Sequence, residues 1–245
     1  LNDKIEFDTI FSDLLKRRFL DLRKTDAAGF RDFCAGTDAI FCKPAGLCGG
    51  EGIRRIVTAE IDDYTALYDQ LVQGGQLLIE EPIRQHPEMS RLCPDSVNTV
   101  RIVTLVTDKG AEMVYALVRM GMGGVCVDNV SSGGMYAPVN EHGQLYRPAF
   151  CDKTGKYYER HPVTGTDIVG FQIPMFEDAL ELCRTASRRV EEHLKYIGWD
   201  VAITPDGPVL VEGNNLPGYD MCQNAGHVDE GMLPRFEQLL GRPIV

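Results

Sequence analysis

The stretch Gly198-Trp-Asp-Val-Ala-Ile-Thr-Pro-Asp-Gly-Pro-Val-Leu-Val-Glu-Gly-Asn-Asn-Leu-Pro-Gly218 constrains the fold of this chain more than any other. Two apolar β runs flank Pro205-Asp206-Gly207, a composition that predicts a hairpin turn. With those three residues as the loop, Thr204 pairs with Pro208 and Asp200 falls opposite Glu212. Side chains alternate along a strand, so Asn214 shares the face of Glu212 if the strand continues. Val201, Ile203, Val209 and Val211 are expected on the other face. Two carboxylates placed directly opposite each other repel. A divalent cation turns that repulsion into a site, because Mg²⁺ takes a few carboxylate oxygens together with nucleotide phosphates.

The elements upstream alternate helix and strand. Phe7, Ile10, Phe11, Leu14, Leu15 and Phe19 recur at helical spacing and predict a helix over 7–20. Ala39 to Lys43 and Ile53 to Val57 read as strands on either side of the glycine-rich loop Gly46 to Gly52. Asp62 and Asp63 open a helix through Val72, and Gln76 to Ile83 follows as a strand. Next come β runs at Asn98–Val106, Glu112–Met120, Met135–Val139 and Gln144–Pro148. The longest helix is expected over Met175–Ile197, with Pro174 before its first turn and Gly198 as its stop. This order predicts an α+β protein of two lobes, 1–83 and 84–245, with mostly antiparallel sheets.

At 245 residues, 44% hydrophobic and 25% charged, the chain can bury a full core. A net charge of −11 argues against a nucleic-acid partner, which needs clustered Lys and Arg. No run of about 18 apolar residues exists to span a membrane, and the N-terminus lacks the apolar stretch of a signal peptide. The eight cysteines form no C-x-x-C pair, so a reduced, cytoplasmic setting is the simplest expectation.

Four further groups of residues bear chemistry. Lys43 sits in an apolar strand run, where an ammonium costs desolvation unless it snorkels outward or meets an anion. The glycines that follow, Gly49 and Gly50 among them, let backbone N–H groups approach phosphate, although no Walker sequence is present. The segment Leu77 to His86 opens with an apolar strand ending in Glu80-Glu81-Pro82, either an edge strand stopped by proline or an inter-lobe hinge whose backbone hydrogen-bonds a purine. Arg101, between Val100 and Ile102, faces solvent or meets an anionic partner; its guanidinium suits a transferring phosphoryl group. Asn129, Ser131 and Ser132 lie in a polar loop that offers hydrogen-bond donors or is simply a loop. His161 before Pro162 reads as structural.

In this order, Asp3-Lys4, Lys43-Pro44 with its glycine loop, Glu80-Glu81, Asn98 to Arg101, Asn129 to Gly134, Asp200 and Glu212-Gly-Asn214 resemble the ATP-grasp superfamily. Gln85-His86, Ser96 to Arg101, Ser131 to Gly134 and Gly198 to Ala202 are most similar to its sugar-transfer-associated branch. The resemblance implies the ATP-grasp fold, two lobes gripping ATP. It assigns Lys43, assisted by Lys4, to the phosphates, Gly49 and Gly50 to covering them, and Glu80, Glu81 and Ile83 to adenine, with Asn129 as a further ATP contact. It also gives Arg101 to the transferring phosphoryl group and Asp200, Glu212 and Asn214 to Mg²⁺, one ion or two, with Mn²⁺ able to substitute. Family members usually carry an additional N-terminal domain, whereas here the Asp-Lys element begins at residue 3; Glu88 is the nearest candidate for the ribose acid.

The expected reaction joins a small-molecule or peptide carboxylate to an amine or thiol through an acyl phosphate. A sugar or polyol kinase and a non-catalytic nucleotide-binding module are the alternatives.

Overall fold

Aspartates set the helix starts in the N-terminal part of the chain. The computed structural model describes residues 3–46, 52–123, 133–218, 220–226 and 231–244. Asp3 accepts from the amides of Ile5 and Glu6 and opens α1 (Lys4–Ile10), which a one-turn α2 (Ser12–Leu15) follows. Asp26 accepts from Gly29 to open α3 (Ala27–Cys34), and Asp63 from Thr65 and Ala66 to open α4 (Tyr64–Gln73). Each such cap satisfies an amide that the first helical turn leaves unpaired.

The helix expected over 7–20 is therefore shorter and broken. Lys16 takes a left-handed backbone at φ 49°, and the chain then enters strand β1 (Phe19–Asp21). Phe19 pairs with Glu80, so pairing within the sheet overrides the helical spacing. β2 (Ala39–Lys43) lies where it is expected, as do β3 (Arg54–Val57) and β4 (Leu78–Glu80) within shorter bounds. The four strands form one antiparallel sheet in the order β1-β4-β2-β3. Leu22, Phe30, Phe33, Ile40, Leu71 and Ile79 make its core against α3 and α4. These elements belong to one compact unit, Leu1–Ile83; Arg84–Val245 forms a second.

The second unit begins with α5 (Pro87–Ser90) and two long strands, β5 (Val100–Thr107) and β6 (Gly110–Met120). β7 (Met135–Val139), β8 (Ala149–Cys151) and β9 (Lys156–Tyr158) extend the sheet. Gln144–Pro148 contributes only isolated bridges, Leu145 with Val139 and Gln144 with Gln172, and the strand expected there forms at Ala149 instead. Helix α6 (Phe176–Val190) ends before Ile197, because Tyr196 to Val201 pair with β5 as part of β10 (Tyr196–Thr204). β11 (Gly207–Asn214), α7 (Asp220–Gly226) and α8 (Leu233–Leu240) complete the unit. Its seven strands run antiparallel in the order β11-β10-β5-β6-β7-β8-β9.

Strand parity assigns the two faces of this sheet. Trp199, opposite Ile102, meets Ser187 of α6. Val103 and Leu117 point the other way and pack with Cys222, Met232 and Leu239 of the C-terminal part. Residues 197–203 are all buried, so β10 is covered on both faces and the simple in–out alternation expected of it fails.

Candidate functional site

Asp200 is paired with Glu212, but the geometry that brings them together differs from the one the turn implies. The loop holds only Pro205 and Asp206, since Thr204 pairs with Gly207 and Ile203 with Pro208. A bulge at Val211 between the Val201–Leu210 and Asp200–Glu212 pairs then restores the lost residue. Val211 is half-buried and does not join the core with Val201, Ile203 and Val209.

Arg101 has an anionic partner, and it is Asp200 itself. The two residues are opposite on β5 and β10. Nε of Arg101 donates to one carboxylate oxygen and its NH2 to the other at 2.9 Å. Arg119 brings a second guanidinium within 3.3 Å of the same carboxylate. Asp200 and the two arginines are 1%, 7% and 12% exposed, which makes this a buried charged cluster. The repulsion expected between Asp200 and Glu212 is thus met in part by the protein's own cations. Arg119 went unnoticed in the sequence although it carries the signal that marks Arg101, an arginine inside an apolar β run.

The loop after Glu212 is pinned by close packing. The Asn214 side-chain amide donates to the Gly198 carbonyl at 3.3 Å. A Cβ at Gly198 would come within 2.7 Å of Pro217 and 3.2 Å of the Arg101 stem, so glycine is required for the proline to close over it. The Tyr115 hydroxyl donates to the Gly218 carbonyl. Asp200, Glu212 and Asn214 offer hard oxygens suited to Mg²⁺. Among the described residues no three His, Cys, Asp or Glu side chains could hold a metal together; Mg²⁺ on two carboxylates takes its remaining oxygens from an amide, water or phosphate. The arginines do not preclude such a site, since a carboxylate presents about four lone-pair positions.

In the first unit Lys43 also has an anionic partner, the Glu80 carboxylate. Arg17 donates to the same group from Nε at 2.8 Å, and its NH2 lies 3.9 Å from Asp8. Burial opposes ionisation of Glu80, but Arg17 and Lys43 overcome it and hold its pKa down to about 2. Asp8 goes the other way: burial first, then the Glu80 charge, raises it to about 8 against the pull of Arg17 and Lys43. Neither Asp8 nor Arg17 was marked in the sequence, yet Asp8 lies on the stripe of Phe11 and Leu15, three and seven positions on, where a carboxylate is out of place.

The remaining sequence candidates are placed as follows. The Lys4 amide donates to the Ala45 carbonyl at 3.0 Å, tying the helix start to the end of the Lys43 strand. Glu81 accepts from Arg18 through both its backbone amide and its guanidinium, at 2.9 and 2.6 Å, while its own amide donates to the Arg18 carbonyl. Ile83 lies beyond the end of β4 and is half-buried. Glu88 is exposed and paired with Arg91 at 2.7 Å. Gly49, Gly50, Asn129, Ser131 and Ser132 lie outside the described residues. His161 is structural: buried, its Nε2 bonds the Gly121 carbonyl at 2.8 Å while Nδ1 accepts from the amides of Val163 and Thr164. Asn98 and Gln85 act likewise, with the Asn98 amide donating to Gln85 and to the carbonyls of Met89 and Cys93.

A model of the sugar-transfer associated ATP-grasp family matches residues 9–239. The chain belongs to that family. No curated protein sequence matches this ATP-grasp chain. Its fold is similar to D-alanyl-alanine synthetase A from Vibrio cholerae O1 biovar eltor, at 13% identity and TM-score 0.50, covering 98% of this chain and 60% of that one. D-cycloserine synthetase DcsG matches at 15% identity and TM-score 0.55, covering 97% and 68%. The ATP-grasp ligase PsnB, solved with a minimal precursor, Mg and ADP, matches at 17% and 0.54, covering 97% and 57%. The chain thus spans 57% to 68% of the length of these three proteins, and the likeness is one of ATP-grasp fold. Among the described residues of this ATP-grasp protein, no helix is long and apolar enough to cross a membrane.

Proposed function

We propose that the chain is an ADP-forming ligase that phosphorylates a carboxylate with ATP and transfers the acyl group of the resulting acyl phosphate to an amine or thiol, releasing inorganic phosphate. The observation that carries this reading is the Asp200–Glu212 pair with Arg101 and Arg119 beside it, acids and fixed cations on adjacent strands of an ATP-grasp fold. Phosphoryl transfer asks little covalent chemistry of a protein; it asks for positioning and for charge to neutralise the oxygens of the moving group. Arg101 is assigned to that group, and its carboxylate partner keeps the guanidinium plane fixed before substrate arrives. Asp200, Glu212 and Asn214 are assigned to Mg²⁺, which supplies charge neutralisation at the phosphate oxygens. Lys43, assisted by Lys4, is assigned to the ATP phosphates and the Glu80–Ile83 segment to the adenine. The solved proteins of similar fold support the reaction class, since they are named as synthetases or ligases and one holds Mg and ADP.

A screen of ADP release over carboxylates combined with amines and thiols, followed by mass spectrometry of the products, tests the assignment. ADP release that requires both an acid and a nucleophile is expected. A stable phosphorylated hydroxyl compound would assign a kinase instead, and nucleotide binding without turnover on any pair would overturn catalysis.

A further inference from the structure

The first unit buries four ionisable side chains against one another, two acids and two bases. Asp8 comes from α1, Arg17 from the link between α2 and β1, Lys43 from the end of β2 and Glu80 from the end of β4. Their side chains are 2%, 5%, 16% and 2% exposed, so Lys43 is the member that solvent reaches most. Glu80 is bonded to both Arg17 and Lys43. Asp8 has a distant contact to Arg17, and its Oδ2 is buried without a hydrogen-bond partner.

Charge arithmetic then couples Asp8 to Lys43. If the ammonium turns toward an anionic ligand, Arg17 (+1) and Glu80 (−1) balance only while Asp8 is protonated. An ionised Asp8 would leave a net charge of −1 buried, which is strongly unfavourable. The reading of Lys43 as a phosphate contact is the premise here. We infer that Asp8 and Glu80 are positioning residues for Lys43: Glu80 holds the ammonium, and a proton on Asp8 releases it to a nucleotide phosphate, so that binding takes up one proton from solvent. The groups acting on Asp8 are Glu80 from β4, Lys43 from β2 and Arg17 ahead of β1. Arg17 and Lys43 both lower the Asp8 pKa, so withdrawal of Lys43 raises it further, the direction that uptake requires.

Calorimetric titration with ADP and Mg²⁺ between pH 6.5 and 9.5, in buffers of different ionisation enthalpy, tests this on the whole chain. The expected result is an affinity that falls about tenfold per pH unit above about pH 8, with uptake approaching one proton at the alkaline end. In Asp8→Asn both effects should vanish, leaving only the titration of the nucleotide itself. The uptake by the wild type needs no variant, so it decides the matter even if Asp8→Asn fails to fold. Binding with zero uptake, or with the same slope in both proteins, overturns this role of Asp8 alone. No binding at any pH overturns it together with the assignment of Lys43.

Discussion

Asp200 stands directly across from Glu212 because two departures from a regular hairpin cancel, a turn of two residues and a bulge at Val211. The pairing puts one acid among guanidiniums and leaves the other half-buried. Their substitutions should therefore separate. Glu212→Gln neutralises a proposed metal ligand that is only half-buried, whereas Asp200 is fully buried. Glu212→Gln should lower Mg²⁺-dependent ADP release at least about a hundredfold, since even supporting groups of a metal site cost ten- to a hundredfold. Its melting temperature should stay near that of the wild type. Asp200→Ala leaves Arg101 and Arg119 buried without their carboxylate and should in addition cost about 3–5 kcal/mol of stability, read by denaturant unfolding. Normal turnover in Glu212→Gln would remove that residue from the metal site.

Gly198 links the same hairpin to the loop that follows it. An added Cβ meets Pro217 at 2.7 Å and the Arg101 side chain at 3.2 Å, so Gly198→Ala must push the Asn214–Gly218 loop, the arginine, or both. Overpacking of this kind costs about 1–3 kcal/mol. The variant should also lose most of its ADP release, because the displaced atoms border the proposed metal and phosphoryl groups. Wild-type kinetics with an unchanged melting curve would show that the loop yields freely.

His161 gives the second unit an acid sensitivity. Burial, partly offset by the bond to the Gly121 carbonyl, lowers its pKa below the ordinary 6.5. The folded state thus binds fewer protons than the unfolded state once the pH falls through 6.5. Stability is present in full above that value and declines as the pH drops toward the folded pKa. Unfolding free energies measured from pH 7.5 to 5 should show this slope in the wild type and a shallower one in His161→Gln. Equal slopes would assign the acid loss to other groups.

Much of the fold was legible because strands written as apolar runs also pair that way: Ala39–Lys43 and Met135–Val139 have the expected bounds. The two overlong helices have a common cause. Phe19 and Ile197 carry helix-compatible spacing, yet each lies beside a strand, β4 and β5, that can hydrogen-bond it. The acids and lysines of the candidate site were visible as charges in apolar settings. Their partners were not, because the contacts of Asp8 with Glu80 and of Arg101 with Asp200 join residues 72 and 99 positions apart. Nor does the hairpin motif announce that Asp200 is paired with an arginine of the neighbouring strand.

The face of the sheet opposite Asp200 carries a polar knot whose role is separable from chemistry. Trp199 donates from Nε1 to Thr104 Oγ1 at 3.0 Å and to Ser187 Oγ at 3.1 Å, and Ser187 in turn bonds the Cys183 carbonyl at 2.8 Å. All of these side chains are buried, so the knot fixes α6 on β5 and β10 with its polar atoms satisfied. Ser187→Ala removes an acceptor from Trp199 and the hydroxyl partner of Thr104, and should cost about 1–3 kcal/mol. Trp199 is the single tryptophan of the chain, so its emission reports this site directly and should shift with the loss of the hydroxyl. ADP release by the folded variant should match the wild type, since Trp199 and Asp200 are adjacent residues on opposite faces. A drop in turnover at full folding would show that α6 sets the position of Asp200 through the strand.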